Sequence, residues 1–227
     1  AIHTLPELWG FVCATEQNGF VYTAAYPDAT VIGAIYIYGL NSDASAVIQK
    51  GSIPFVSGEV PLAVHGYLGR VFVITGAGAE ASRKLSFYIG ELVGETGHLQ
   101  LIKIAESHST PAAIDRAHIV SEGAHLYFLW PDNEPGDTVR SNIARYNVAT
   151  GSFNPAWMKD VSASLGLQNS MSTFLGRVVW SKSGALGYEH ATNKATSGTL
   201  YTSKSTWNTP ALKLQRYIDI ACDPLPA

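Results

Sequence analysis

The sequence predicts an all-β protein, and three observations predict it. The first is composition: charged residues make up 15% of the chain and hydrophobic residues 46%, with 21 glycines and 11 tyrosines. That palette favours pleated strands and tight turns over solvated helices. The second is periodicity. Short apolar runs alternate with period two between clusters of Gly, Asn and Asp, whereas helical spacing is confined to a single candidate turn over residues 160–167. The third is an internal repeat. Gly19-Phe-Val-Tyr-Thr, Gly69-Arg-Val-Phe-Val-Ile, Gly123-Ala-His-Leu-Tyr-Phe-Leu-Trp and Gly176-Arg-Val-Val-Trp recur at a near-constant spacing of roughly fifty residues. Two of them lie within near-identical phrases, Tyr67-Leu-Gly-Arg-Val-Phe-Val and Phe174-Leu-Gly-Arg-Val-Val-Trp.

Each repeat has the same internal order. A weakly apolar strand runs up to the glycine, as in Pro61-Leu-Ala-Val-His-Gly-Tyr-Leu, and a strongly β-forming strand leaves it. After a small-residue loop comes a third strand carrying Tyr or Phe: Ala34-Ile-Tyr-Ile-Tyr, Leu85-Ser-Phe-Tyr-Ile, Ile143-Ala-Arg-Tyr-Asn-Val and Gly198-Thr-Leu-Tyr-Thr. A turn (Asn41-Ser-Asp, Gly94-Glu-Thr-Gly, Ala149-Thr-Gly, Ser203-Lys-Ser) then leads to a fourth strand, clearest in His98-Leu-Gln-Leu-Ile-Lys-Ile. Four hairpin-linked strands at this period predict the blade of a β-propeller, because a lone four-stranded sheet buries both faces only by stacking on its neighbours. The expected blades span residues 5–58, 59–110, 111–163 and 164–211, either as a small closed propeller or as part of a larger ring. Residues 212–227 read as a closing strand or the start of a following β-domain.

Charge narrows the function. Eighteen acids against fifteen bases give a net charge of −3, with no basic run of the kind that phosphate neutralisation requires, so nucleic acid is not an expected partner. No apolar stretch reaches the ~20 residues of a membrane-spanning helix; the best, residues 31–40, carries Gly33, Tyr36 and Tyr38. Cys13 and Cys222 read as two separate thiols, with a staple between the two ends of the chain as the alternative in an oxidising compartment. The sequence opens on Ala-Ile-His and ends on Pro-Ala, and reads as a processed piece or excised domain.

Catalytic motifs are weak. Gly76-Ala-Gly-Ala-Glu-Ala81 has the outward form of a dinucleotide fingerprint, but that chemistry needs a helix N-terminus facing the pyrophosphate. The following Lys84-Leu-Ser-Phe-Tyr-Ile-Gly reads as a strand, which makes the glycines a hairpin loop. The seven histidines, His3, His65, His98, His108, His118, His125 and His190, form no metal-ligand spacing; His65 and His118 fall at related places before their turn glycines. No metal or cofactor is expected, and no nucleophile elbow or phosphate loop is present. The acids Asp28, Asp115, Asp132, Glu134 and Glu189 leave a propeller glycoside hydrolase open as a third reading, since carboxylate separation is a property of the fold. The candidate binding face gathers at loops after the second strands: Tyr26 and Asp28; Trp130, Asp132, Asn133 and Glu134 of the segment Trp130-Pro-Asp-Asn-Glu-Pro-Gly-Asp; and Trp180. Exposed aromatics there would serve as rigid anchors and the acids and amide as partners for sugar hydroxyls, although packing between blades is the commoner use of such rings.

The C-terminal phrase Gly198-Thr-Leu-Tyr-Thr-Ser-Lys-Ser-Thr-Trp-Asn-Thr-Pro-Ala-Leu-Lys-Leu-Gln-Arg-Tyr-Ile-Asp-Ile-Ala-Cys-Asp-Pro-Leu-Pro-Ala resembles a junction in minor structural proteins of tailed bacteriophages. There a propeller's last blade leads into a strand ending Pro-Leu-Pro-Ala-Gly that opens a β-sandwich. Ile143-Ala-Arg-Tyr-Asn-Val-Ala-Thr-Gly is similar to their repeats. The resemblance implies a non-enzymatic structural or adhesion module of a virion tail, assembled in the bacterial cytoplasm. It further implies other virion proteins and host-surface glycans as partners, within an oligomeric assembly. A carbohydrate-binding propeller, secreted or extracellular, is the second expectation.

Overall fold

The computed structural model describes residues 5, 9–27, 32–55, 58–78, 83–107, 117–130, 141–160, 170–182 and 185–189. The chain divides into two compact units, Ala1–Glu189 and His190–Ala227, and every described residue belongs to the first. The third-strand segment 198–202 and residues 212–227 therefore lie outside the described residues.

The described part is all strand. The first sheet consists of β1 (Trp9–Gln17), β2 (Phe20–Pro27), β3 (Ala34–Leu40) and β4 (Val47–Pro54). The second holds β5 (Glu59–Tyr67), β6 (Arg70–Ala77), β7 (Lys84–Val93) and β8 (His98–Glu106). The third holds β9 (Ile119–Glu122), β10 (His125–Leu129), β11 (Ser141–Asn147) and β12 (Phe153–Asp160), and the fourth β13 (Met171–Phe174), β14 (Arg177–Lys182) and β15 (Ala185–Tyr188). Within each sheet the strands are antiparallel neighbours in chain order. The sheets stack through their first strands, β1 against β5, β5 against β9 and β9 against β13. This is consistent with a β-propeller-like arrangement.

The turns between first and second strands explain the glycine repeat. In three sheets both central residues take positive φ: Asn18 and Gly19 (55° and 80°), Leu68 and Gly69 (48° and 80°), Leu175 and Gly176 (50° and 72°). That is the two-residue hairpin whose twist matches that of the flanking strands, and it demands the left-handed region at both positions. The third sheet departs from the sequence register. There Glu122 pairs with His125, so Gly123 (φ 56°) is the first turn residue and not the second. The shift also separates the two histidines. Counted from the turn, His65 corresponds to Val120, and His118 precedes β9 altogether. Asp160, the start of the candidate helical turn, ends β12; residues 161–167 lie outside the described residues.

Three apolar clusters join the sheets in series. Tyr22, Ala24, Ile35 and Ile37 of the first sheet meet Val64, Val71, Val73 and Leu99 of the second. Phe72, Ile74, Leu85 and Phe87 of the second meet Leu126, Phe128, Trp130 and Tyr146 around a ring stack in which Phe87 and Phe128 are 4.6 Å apart. Tyr127 and Ile143 of the third meet Met171, Val178 and Trp180 of the fourth. At ~25 cal/mol per Å² of buried apolar area, these ring-rich seams are the main cohesive force between sheets. Backbone links add register. The Gly66 N–H donates to Thr15 Oγ1 (2.8 Å) and the Val64 N–H to Cys13 Sγ (3.2 Å), so β5 borrows acceptors from side chains of β1. The Tyr22 hydroxyl donates to the Gly97 carbonyl (2.9 Å) across the same seam, and burial pushes its pKa up to about 12.

Candidate binding site

Three of the sequence-chosen aromatics are buried. Tyr26, at the end of β2, is 9% exposed and lies under the Arg83 guanidinium, 5.5 Å from ring to carbon. Trp130 follows β10 and, read from sequence as fronting an open acidic loop, is 1% exposed. Phe128 and Phe153 enclose its indole edge-on, at 5.9 and 5.4 Å. Trp180 is buried in the seam between third and fourth sheets. Tyr26 and Trp130 thus share one cluster and Trp180 belongs to another. Asp28, Asp132, Asn133 and Glu134 lie outside the described residues.

The second sheet carries a polar group that no motif announced. The buried polar residues Glu59, Thr75, Arg83, Ser86 and Ser107 fall at one end of it, where β5 and β7 begin and β6 and β8 finish. Antiparallel pairing brings them together: Glu59 is opposite Ala77, and Thr75 is opposite both Pro61 and Ser86. Glu59 Oε1 accepts from the Thr75 hydroxyl and from the Tyr88 hydroxyl (2.8 Å). Burial, then the Glu59 contact, holds the Tyr88 phenol above its ordinary pKa and keeps it a donor. The Lys103 ammonium lies 5.4 Å over the Tyr88 ring and donates to Glu106 Oε2 (2.8 Å). A polar chain therefore runs from a buried carboxylate through a phenol and an amine to a carboxylate on the exposed outer strand β8. Ser107 closes this end, exchanging hydrogen bonds with the backbone of Leu85 through its N–H and Oγ, both 2.8 Å.

No known protein family matches the chain, and no curated protein does. The site must therefore be read from its chemistry. Glu59 is buried and already accepts from the Thr75 and Tyr88 hydroxyls, so the group ties β5, β6 and β7 together at this end with the acceptor chemistry that hydroxyl groups require. Sequence reasoning missed it because Glu59, Thr75 and Tyr88 are scattered in the chain and meet only through strand register. No group of three or more His, Cys, Asp and Glu with metal-ligand geometry occurs among the described residues. No helix among them is long and apolar enough to cross a membrane. The glycine-rich segment at 76–81 leads into β7, a strand, so a dinucleotide site lacks the helix it needs.

Proposed function

We propose that the chain is a β-propeller module with a structural or adhesion role in a bacteriophage tail, working through its surfaces within a larger assembly. The observation that carries this reading is the fourth sheet. Its Met171, Val178 and Trp180 are buried against the third sheet, yet Phe174, Leu186 and Tyr188 on its opposite face are 67%, 74% and 58% exposed. A sheet apolar on both faces is built to be covered on both. Closure of the ring onto the first sheet, or a neighbouring subunit, supplies that cover. The resemblance of residues 198–227 to the propeller-to-sandwich junction of tail proteins supports the virion context, and the low charge supports packing over nucleic-acid contact. The test is antibody labelling of particles from the source lysate by electron microscopy. Label on tails is the expected result; label on free protein alone, with bare particles, overturns the virion reading.

A second reading, a carbohydrate-binding propeller, is favoured by the Glu59–Tyr88 and Arg83–Tyr26 groups at the loop end of the second sheet. It predicts glycan-array binding that Glu59→Gln diminishes. An array blank at millimolar sugar removes it.

A further inference from the structure

We infer that the face formed by the hairpin tips between first and second strands is a self-association surface on which a second copy of this chain docks face to face. The tips are neighbours. Asn18 Nδ2 donates to the Gly69 carbonyl (3.2 Å), joining the first tip to the second. The Tyr67 hydroxyl donates to the Gly123 carbonyl (2.5 Å), joining the second to the third. A Cβ at Gly176 would lie 3.9 Å from Glu122 Oε1, which sets the fourth beside the third.

Two features mark this face for contact. The second and fourth tips place leucine in the left-handed region, Leu68 at φ 48° and Leu175 at φ 50°, where Asn or Gly is the unstrained choice, as Asn18 shows in the first tip. Both leucines are also turned out to solvent, 63% and 84% exposed, with Phe174 at 67% beside Leu175. Backbone strain combined with apolar exposure, repeated at equivalent positions, gains nothing for the isolated chain.

Charge identifies the occupant. Glu16 flanks the first tip, Arg70 the second, Glu122 the third and Arg177 the fourth, so sign alternates from tip to tip, and the leucines sit on the basic tips. Arg177 is exposed, and no ion pair involves it or Glu122 among the described residues. Among the described residues, the ion pair of Arg70 is a long 3.8 Å contact with Glu91 across the surface. A face carrying both members of each complementary pair is self-complementary about a two-fold axis, with Leu–Arg tips over Glu tips. An anionic lipid surface would instead be repelled by Glu16 and Glu122.

The inference deepens the assembly reading above and rests on it for the common orientation of the tips, but its test is separate from particle labelling. Sedimentation of the full chain up to about 0.1 mM is expected to show a dimer. Leu68→Asn with Leu175→Asn should weaken it about ten-fold or more without lowering the melting temperature, since Asn suits both turn positions. Glu16→Arg with Glu122→Arg, and Arg70→Glu with Arg177→Glu, should each be monomeric alone and dimerise when mixed; the mixing also shows that both variants are folded. A monomeric wild type, an undiminished Asn variant or a mixture that stays monomeric overturns the inference. So does a monomer that co-sediments with phosphatidylcholine–phosphatidylglycerol vesicles, which would assign the face to lipid. None of these results alters the labelling of particles.

Discussion

Gly187 owes its identity to an indole. A Cβ built there would stand 2.2 Å from Trp180 Cε2, because Trp180 and Gly187 are opposed across β14 and β15 and the indole takes the space a side chain would need. Gly187→Ala must displace a buried ring, so it should destabilise by about 2 kcal/mol; urea unfolding followed by tryptophan fluorescence reads the loss. His65 gives the complementary case of a charge. It is half-buried, its Nε2 has no hydrogen-bond partner among the described residues, and burial holds its pKa below the ordinary 6.5. The unfolded chain therefore takes up a proton near pH 6.5 that the folded chain resists. His65 leaves stability untouched above that pH and lowers it as pH falls below it, until the folded imidazole also titrates. His65→Gln should flatten the fall in unfolding free energy between pH 7 and 5, and an unchanged slope would show that the histidine is not responsible. Gly187 carries no mark in the sequence, whereas His65 stands out by its place before the turn glycine, a likeness to His118 that the register of the third sheet does not keep. A glycine beneath an indole and an imidazole nitrogen with no hydrogen-bond partner among the described residues are facts of cross-strand and inter-sheet register, which spacing does not encode.

At the scale of the element, the hairpin between first and second strands was the most legible feature, for a definite reason. Positive φ, at both turn residues in three sheets and at Gly123 in the third, restricts their chemistry so strongly that glycine marks the spot in every repeat. The register was less legible: a glycine at either turn position satisfies part of the requirement, so Gly123 could stand one place early without erasing the pattern. Strand order was readable too, because short turns force neighbouring antiparallel strands, and the third strands announce themselves with Tyr and Phe. The same hairpins predict a stabilisation. An L-residue with a branched apolar side chain in the left-handed region costs roughly 1 kcal/mol or more against Asn. Leu68→Asn and Leu175→Asn should therefore each raise stability by about 1 kcal/mol in the monomer, shifting the urea midpoint upward with unchanged slope. The candidate face was much less legible than the turns. Aromatics at the ends of second strands look alike whether they serve a ligand or a seam: Tyr26 and Trp180 are covered by Arg83 and Tyr127 across seams between sheets, and Trp130 by Phe128 and Phe153 of its own sheet, contacts set by stacking and by strand register.

For the whole molecule the decisive question is whether the stack of sheets has ends. Among the described residues the strand contacts between sheets join consecutive ones, with Tyr26 of the first sheet also entering the cluster between second and third, so in an open stack energy passes mainly between near neighbours and a loosened last sheet leaves the first untouched. In a closed ring the first and last sheets are also neighbours. The first sheet's outer face, with Ala25, Ala34, Tyr36 and Tyr38 buried and Phe11 52% exposed, would then lean on the face that bears Phe174 and Leu186. Trp180→Ala distinguishes the two. It removes the largest side chain of the seam between third and fourth sheets, at a cost of about 3–5 kcal/mol, and should free the fourth sheet before the others unfold. Hydrogen exchange measured by mass spectrometry then reports how far the loosening travels. Protection should fall in β13 to β15 and in β9 to β12 across the broken seam whichever arrangement holds. Under the ring reading it falls also in β1 to β3, while β5 to β8 keep theirs. Full protection of β1 to β3 would mean an open stack, and the cover for the outer face of the fourth sheet would then have to come from another subunit.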